Sequence, residues 1–212
     1  MATRLYLPST GAAEVDPAWS VSWFDATSAS AEKLRAVTTR ILSEMVTKSM
    51  TDTDITNRHY AFGMWVSDRL NSQTIAAQNI SCSIKCSETF IGNNLFVHWI
   101  VRLLSSEGVY KGDILSFRQD LTEIPIPVNM GSRYDFITTT SQLADGGDRL
   151  VIEMGLGGNP ATYYYHNGSM IIGDNSNTDL NAANDDTGIR NPWVEFSNTL
   201  SFMRKRIFIT HQ

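Results

Sequence analysis

The chain has 212 residues, 42% hydrophobic and 18% charged, with 17 basic against 22 acidic side chains, a formal net charge of −5 and two cysteines. A body of that size buries enough core to stand without disulfides or a structural metal, and only Arg204-Lys205-Arg206 clusters positive charge, which argues against binding nucleic acid. No apolar run approaches the roughly 18 residues that span a bilayer; the longest, Leu95 to Leu104, is interrupted by His98 and Arg102, and Met1 to Pro8 lacks the apolar core of a signal peptide, so export by that route is not expected.

Residues 1–30 are rich in Ala, Ser, Thr and Pro yet carry Leu5, Tyr6, Leu7, Trp19, Trp23 and Phe24, more large apolar groups than a free tail uses. Two readings stand: a first strand on the chain's own sheet, or an extended arm lying in a groove of a neighbouring subunit. Residues 31–212 read as one β-sandwich domain. Between 30 and 49 two signals conflict. Ala31, Leu34, Val37, Ile41 and Met45 recur at helical spacing behind Ser30 as a cap, whereas Thr38, Thr39 and Thr47 suit strands.

From Tyr60 onward the pattern is β. Met64, Val66 and Asp68 alternate with Trp65, Ser67 and Arg69, and a run from Thr74 to Glu88 puts Ile80, Cys82, Ile84 and Cys86 on one face. Leu95 to Leu104 is more continuously apolar, hence central. Shorter strands are expected at Gly112 to Phe117, Tyr134 to Thr140, Arg149 to Met154, Ala161 to His166, Met170 to Ile172, Trp193 to Phe196 and Leu200 to Ile209. Asp145-Gly146-Gly147-Asp148 and Asn167-Gly168 read as tight turns, the second as a hairpin. Regular turn signals without a helix after residue 50 describe an all-β, antiparallel, jelly-roll-like β-sandwich.

Few places carry chemistry. Cys82 and Cys86 on one strand would have α-carbons about 13 Å apart at about 3.3 Å per residue, beyond disulfide reach, and read as inward hydrophobes. Gly155-Leu156-Gly157-Gly158 runs into Pro160 and three tyrosines instead of a helix, so it reads as a turn into a strand and not a phosphate loop. The polar stretch from Asp174 to Asp186 offers Asp174, Asp179 and Asp185 as weak calcium candidates, but Asp179 stands where a calcium loop needs glycine, so no metal and no cofactor is expected. His59, His98, His166 and His211 are scattered outside any nucleophile motif, and no catalytic residue is assigned; Glu88, Asp113, Asp120, Glu123 and Glu153 are the acids from which a sugar-cleaving pair would have to come. Consecutive Tyr163, Tyr164 and Tyr165 show tyrosine on both faces of a strand, which suits sugar stacking or a subunit interface and equally suits a mixed core and edge strand.

Four strings act together: Arg4-Leu5-Tyr6-Leu7-Pro8-Ser9; Trp65-Val66-Ser67-Asp68 followed by Leu70 and Gln73-Thr74-Ile75; Gly147-Asp148-Arg149-Leu150-Val151-Ile152-Glu153; and Pro192-Trp193-Val194-Glu195-Phe196. Through them, over about residues 4 to 202, the chain resembles a group of tailed-bacteriophage and phage-related proteins, some described as virion or minor tail components. The resemblance brings no catalytic residues. It implies an all-β sandwich and an extended conformation over residues 32–48, which decides the earlier conflict against the helix. The expected role is a non-enzymatic virion structural protein, capsid decoration, cement or tail component, self-associating as a homo-oligomer and docking on other virion proteins. Leu5, Tyr6, Leu7, Trp19, Trp23, Phe24, Phe202 and Ile207 are the expected interface residues. The alternative is a carbohydrate-binding module for attachment to a host surface glycan through Tyr163 to Tyr165.

Overall fold

The structure, a computed structural model, describes residues 1–24, 31–52, 58–89, 94–124, 131–158, 166–184, 188 and 190–204. Its described elements are all strands: β1 (Thr3–Tyr6), β2 (Glu32–Arg35), β3 (Val46–Asp52), β4 (His59–Val66), β5 (Gln73–Ile75), β6 (Asn79–Glu88), β7 (Leu95–Leu104), β8 (Tyr110–Gln119), β9 (Gly131–Thr138), β10 (Gln142–Ala144), β11 (Arg149–Gly158), β12 (His166–Ile172) and β13 (Trp193–Phe196). The stretch with conflicting signals is extended, as β2 and β3.

Two sheets face each other. The first runs β1-β13-β6-β12-β3, with β9 on the other edge of β6, and the second runs β2-β4-β11-β7-β8. A small pair, β10-β5, lies apart. Strand β6 organises the first sheet, since Trp193–Phe196 pair with its first half and Gly168–Ile171 with its second. The pairings are antiparallel except β2 with β4. Alternation decides the inner faces. Ile80, Cys82, Ile84 and Cys86 of β6 meet Val97, Trp99, Val101 and Leu103 of β7 and Leu150, Ile152, Met154 and Leu156 of β11 in one core. Both cysteines are free buried thiols, and burial pushes the Cys82 thiol well up. The opposite face of β6 is also covered: Ser83 Oγ donates to the Asn181 carbonyl at 3.0 Å and Lys85 Nζ to the Gly188 carbonyl at 3.0 Å.

Three sequence expectations are decided by the structure. The first concerns residues 1–24, where, of the two readings, the strand on the chain's own sheet forms and the arm does not. Strand β1 pairs with β13, and Leu5 and Leu7 lie in the chain's own core, 1% and 0% exposed, because alternation along β1 turns them inward. The second concerns Asn167-Gly168, which sits inside β12 opposite Thr51 and Met50 instead of turning a hairpin. A Cβ on Gly168 would lie 2.3 Å from Leu95 Cδ1, so the glycine serves close packing. The third concerns Gly155 to Gly158, which prolong β11 past a bulge at Met154/Gly155. There a Cβ on Gly155 would fall 1.8 Å from the Tyr60 carbonyl oxygen. By contrast, Asp145 to Asp148 do form the expected turn, with Gly147 at φ 103° and the Asp148 N–H donating to the Asp145 carbonyl at 3.1 Å. The run expected from Thr74 to Glu88 is broken into β5 and β6. The described part of the expected last strand contributes a bridge from Phe202 to Leu70. The expected strand Ala161 to His166 lies outside the described residues apart from His166, which opens β12.

Candidate functional site

The most chemically loaded surface of the fold is the outer face of the second sheet. Because β7 alternates, sending Val97, Trp99, Val101 and Leu103 to the core sends His98, Ile100, Arg102 and Leu104 the other way. These outward residues are nonetheless buried, since residues 13–24 cross over them as a strap. Ala13, Val15 and Trp19 pack on Met64, Val66, Leu104 and Val151. Trp23 joins Ala61 and Ile100, flanked by Trp19 and Phe117.

Charged groups pin the strap from below. Arg149 donates through Nη2 to Glu14 Oε2 at 2.7 Å and through Nη1 to the Ser67 carbonyl at 2.8 Å. Arg102 Nη2 donates to the Ala18 carbonyl at 2.7 Å and pairs with Glu153. Glu153, fully buried on β11, accepts the Ser20 N–H at 3.0 Å and the Trp23 indole N–H at 2.7 Å. Burial raises the Glu153 carboxyl above its ordinary range, with Arg102 and the two N–H donors pulling the other way. Further along the same face Trp23 meets Phe117 edge-on at 4.9 Å, and Phe117 lies 5.0 Å from His59 and 5.3 Å from His98. Desolvation holds His59 below the usual imidazole range and takes His98 down to about 3, so both rings are neutral near pH 7.

A second ionic group closes the side of the sandwich where β8 and β9 run. Asp135 on β9 accepts the Trp99 indole N–H at 2.8 Å and two Arg118 bonds at 2.6 and 2.9 Å. Burial alone would raise this carboxyl, but those donors outweigh it and hold it low. Arg133 and Asp120 pair at 2.9 Å beside it, both buried. Between the two edge strands lies a groove of about 410 Å³, lined by residues 114–119 and 137–140.

The expected interface residues are dispersed. Leu5, Leu7 and Trp23 are buried within the chain, and Trp19 is partly buried under its own strap. The Tyr6 hydroxyl donates to Asp179 at 3.0 Å, Phe202 packs on the main core, and Phe24 is open to solvent at 59%. Ile207 lies outside the described residues. So do Asp185 and the tyrosines Tyr163, Tyr164 and Tyr165.

Asp174 accepts the Ser176 N–H at 2.6 Å in an Asx turn, and Asp179 is held by Arg4 at 2.8 Å and Arg40 at 2.5 Å, two guanidinium groups that repel a cation. Among the candidate acids, Glu88, Asp120 and Glu153 are sealed from solvent. Glu88, whose carboxylate accepts the Leu95 N–H at 3.3 Å, is pushed up to about 7 by burial, with nearby Glu123 adding to the rise. Asp113, which accepts the Tyr110 hydroxyl at 3.1 Å, and Glu123 remain within reach of solvent. Sequence reasoning missed the Arg102–Glu153 pair and the His59–His98 pair. The available signal was His98 and Arg102 at even spacing inside an otherwise apolar run, a sign of a second covered face.

No family model matches the chain, and no curated protein does. Among solved structures it is similar to a CocE/NonD family hydrolase from Staphylococcus aureus at 9% identity and TM-score 0.46, covering 92% of this chain and 36% of that one. It is also similar to the VP2 subviral particle of infectious bursal disease virus at 10% identity and TM-score 0.29, covering 92% of this chain and 46% of that one. A structure of the Gt strain of the same virus gives 9% identity and TM-score 0.25, covering 90% and 44%. The chain thus spans about a third of that hydrolase and less than half of the viral chains.

Proposed function

We propose that this protein is a non-enzymatic structural component of a bacteriophage particle, a head decoration, cement or tail protein that joins copies of itself and other virion proteins. The observation that carries this reading is the pair of edge strands beside the groove, capped only in part: the Thr140 N–H donates to the Ile114 carbonyl of β8 at 3.1 Å and Asn184 Oδ1 accepts the Tyr134 N–H of β9 at 3.0 Å. Among the described residues β8 has ladder partners only in β7 and β9 only in β6, and Phe136 of β9 is 51% exposed. Leu121, just past β8, is 83% exposed. Edge strands with exposed apolar side chains offer unpaired backbone groups to another chain, and proteins that stay monomeric blunt such edges. The sequence strings shared with the tailed-phage group supply the kind of assembly. Three of the five acids a hydrolase would draw on are buried away from substrate, which favours a role without catalysis.

Sedimentation velocity over a wide concentration range, with quantitative mass spectrometry of purified particles, tests the proposal. Concentration-dependent oligomers and a defined copy number per particle are expected. A protein that stays monomeric at every concentration and is missing from particles would sink it.

A further inference from the structure

From the geometry at the end of β4, β7 and β11 we infer a metal site. His59 and His98 form a two-imidazole cradle for a first-row divalent ion of the copper, nickel and zinc group, beside the α-carbon of Gly157. The inference is independent of the particle reading.

Three observations carry it. His98 is 1% exposed, and neither of its ring nitrogens has a hydrogen-bond partner; the Nδ1 of His59 is buried and equally unpartnered. Buried polar atoms almost always find partners, so three orphaned ring nitrogens in one place call for a ligand. The nitrogens also converge. A Cβ on Gly157 would lie 2.5 Å from His59 Nδ1 and 2.8 Å from His98 Nε2, so both nitrogens lie against the backbone of one glycine, an approach that any side chain there would block. Finally, the rings stand 4.2 Å apart, centroid to centroid, at an interplanar angle of 41°. An imidazole holds such an ion at about 2.0–2.1 Å, so rings this close can share one ion.

The chemistry selects the ion class. Imidazole nitrogens suit copper, nickel and zinc, whereas magnesium and calcium want oxygen. Among the described residues no group of three or more His, Cys, Asp or Glu is placed to hold a metal. His59 is half-buried, and Phe117 stands against both rings.

Calorimetric titration of the chelator-treated full chain with Cu²⁺, Ni²⁺ and Zn²⁺, with Mg²⁺ as control, tests the site. One equivalent of at least one of the three ions is expected to bind saturably. Affinity should fall at least tenfold in His59→Gln and in His98→Leu and stay unchanged in His211→Gln, and the electron paramagnetic resonance of bound Cu²⁺ should carry coupling from two imidazole nitrogens. Circular dichroism establishes that each variant is folded; should His98→Leu not fold, the half-buried His59→Gln decides. A folded wild-type protein that binds none of the three ions, or binding that survives His59→Gln, would overturn the proposal and leave the cradle to a bridging water.

Discussion

The two faces of the second sheet are both buried, yet they are held by different physics. The inner face is apolar, with Val101, Leu103, Leu150 and Ile152 all at 0% exposure, and its cover is an entire opposing sheet. The outer face mixes Ile100 and Leu104 with Arg102, Glu153, His98 and Arg149, and its cover is twelve residues without regular structure. Apolar burial is non-directional and tolerates repacking. Buried charges are directional, and each demands a named partner. The difference teaches why so thin a cover has one position: Ala18, Ser20 and Trp23 are placed by Arg102 and Glu153.

The contrast is broken most completely by deleting residues 1–24, which strips the strap from one face and Leu5 and Leu7 from the core beneath the other. The expected outcome is loss of the cooperative thermal transition and of near-ultraviolet circular dichroism. Next in size, Glu153→Leu alone leaves Arg102 buried and unpaired and should destabilise by about 3–5 kcal/mol in urea unfolding, whereas adding Arg102→Met restores most of that loss. On the inner face Ile152→Ala should cost about 2–5 kcal/mol, and no second truncation should recover it. A double-mutant cycle with equal coupling on both faces would refute the distinction.

A gentler probe is pH. The folded pKa of His98, about 3, lies below its unfolded value, so acid protonates the unfolded chain first and stability falls as pH drops from about 6.5 towards 3. Glu88, about 7 when folded, works in the opposite sense: its contribution is present in acid and is lost as pH rises from about 4.5 to 7. The two slopes, each up to about 1.4 kcal/mol per pH unit, largely cancel between about pH 4.5 and 6.5 and leave the His98 loss visible below that window. His98→Leu should flatten this limb down to about pH 4, below which the depressed Asp135 carboxylate still loses stability, and Glu88→Gln should extend the limb upward. The smallest effect is expected at the groove. Phe136→Ser should change stability by less than about 0.5 kcal/mol while weakening self-association in sedimentation velocity.

What could be read beforehand follows the same division. Strands β7 and β13 have the expected bounds, and the cysteines sit in the core, because period-two alternation is a local signal of a face. The glycines of β11 and β12 were misread because glycine serves both tight turns and close approach, and what approaches, Tyr60 or Leu95, is far away in sequence. The strap's tryptophans marked it as anchored, but its place was not readable, since half of its polar bonds use backbone atoms such as the Ala18 carbonyl and the Ser20 N–H, which every residue possesses. His98 and Arg102 were visible as interruptions, but Glu153 lies on another strand, and nothing local joins it to Arg102.

The pairing of β1 with β13 also dictates an order of events during synthesis. Thr3 faces Phe196 across the ladder, so β1, which Tyr6 alone bridges earlier to Val37, gains its ladder partner only when the last described strand has been made. Until then Leu5 and Leu7 have no completed sheet to enter. Such long-range closure slows folding and lengthens the time that an apolar strand stays open to other nascent chains.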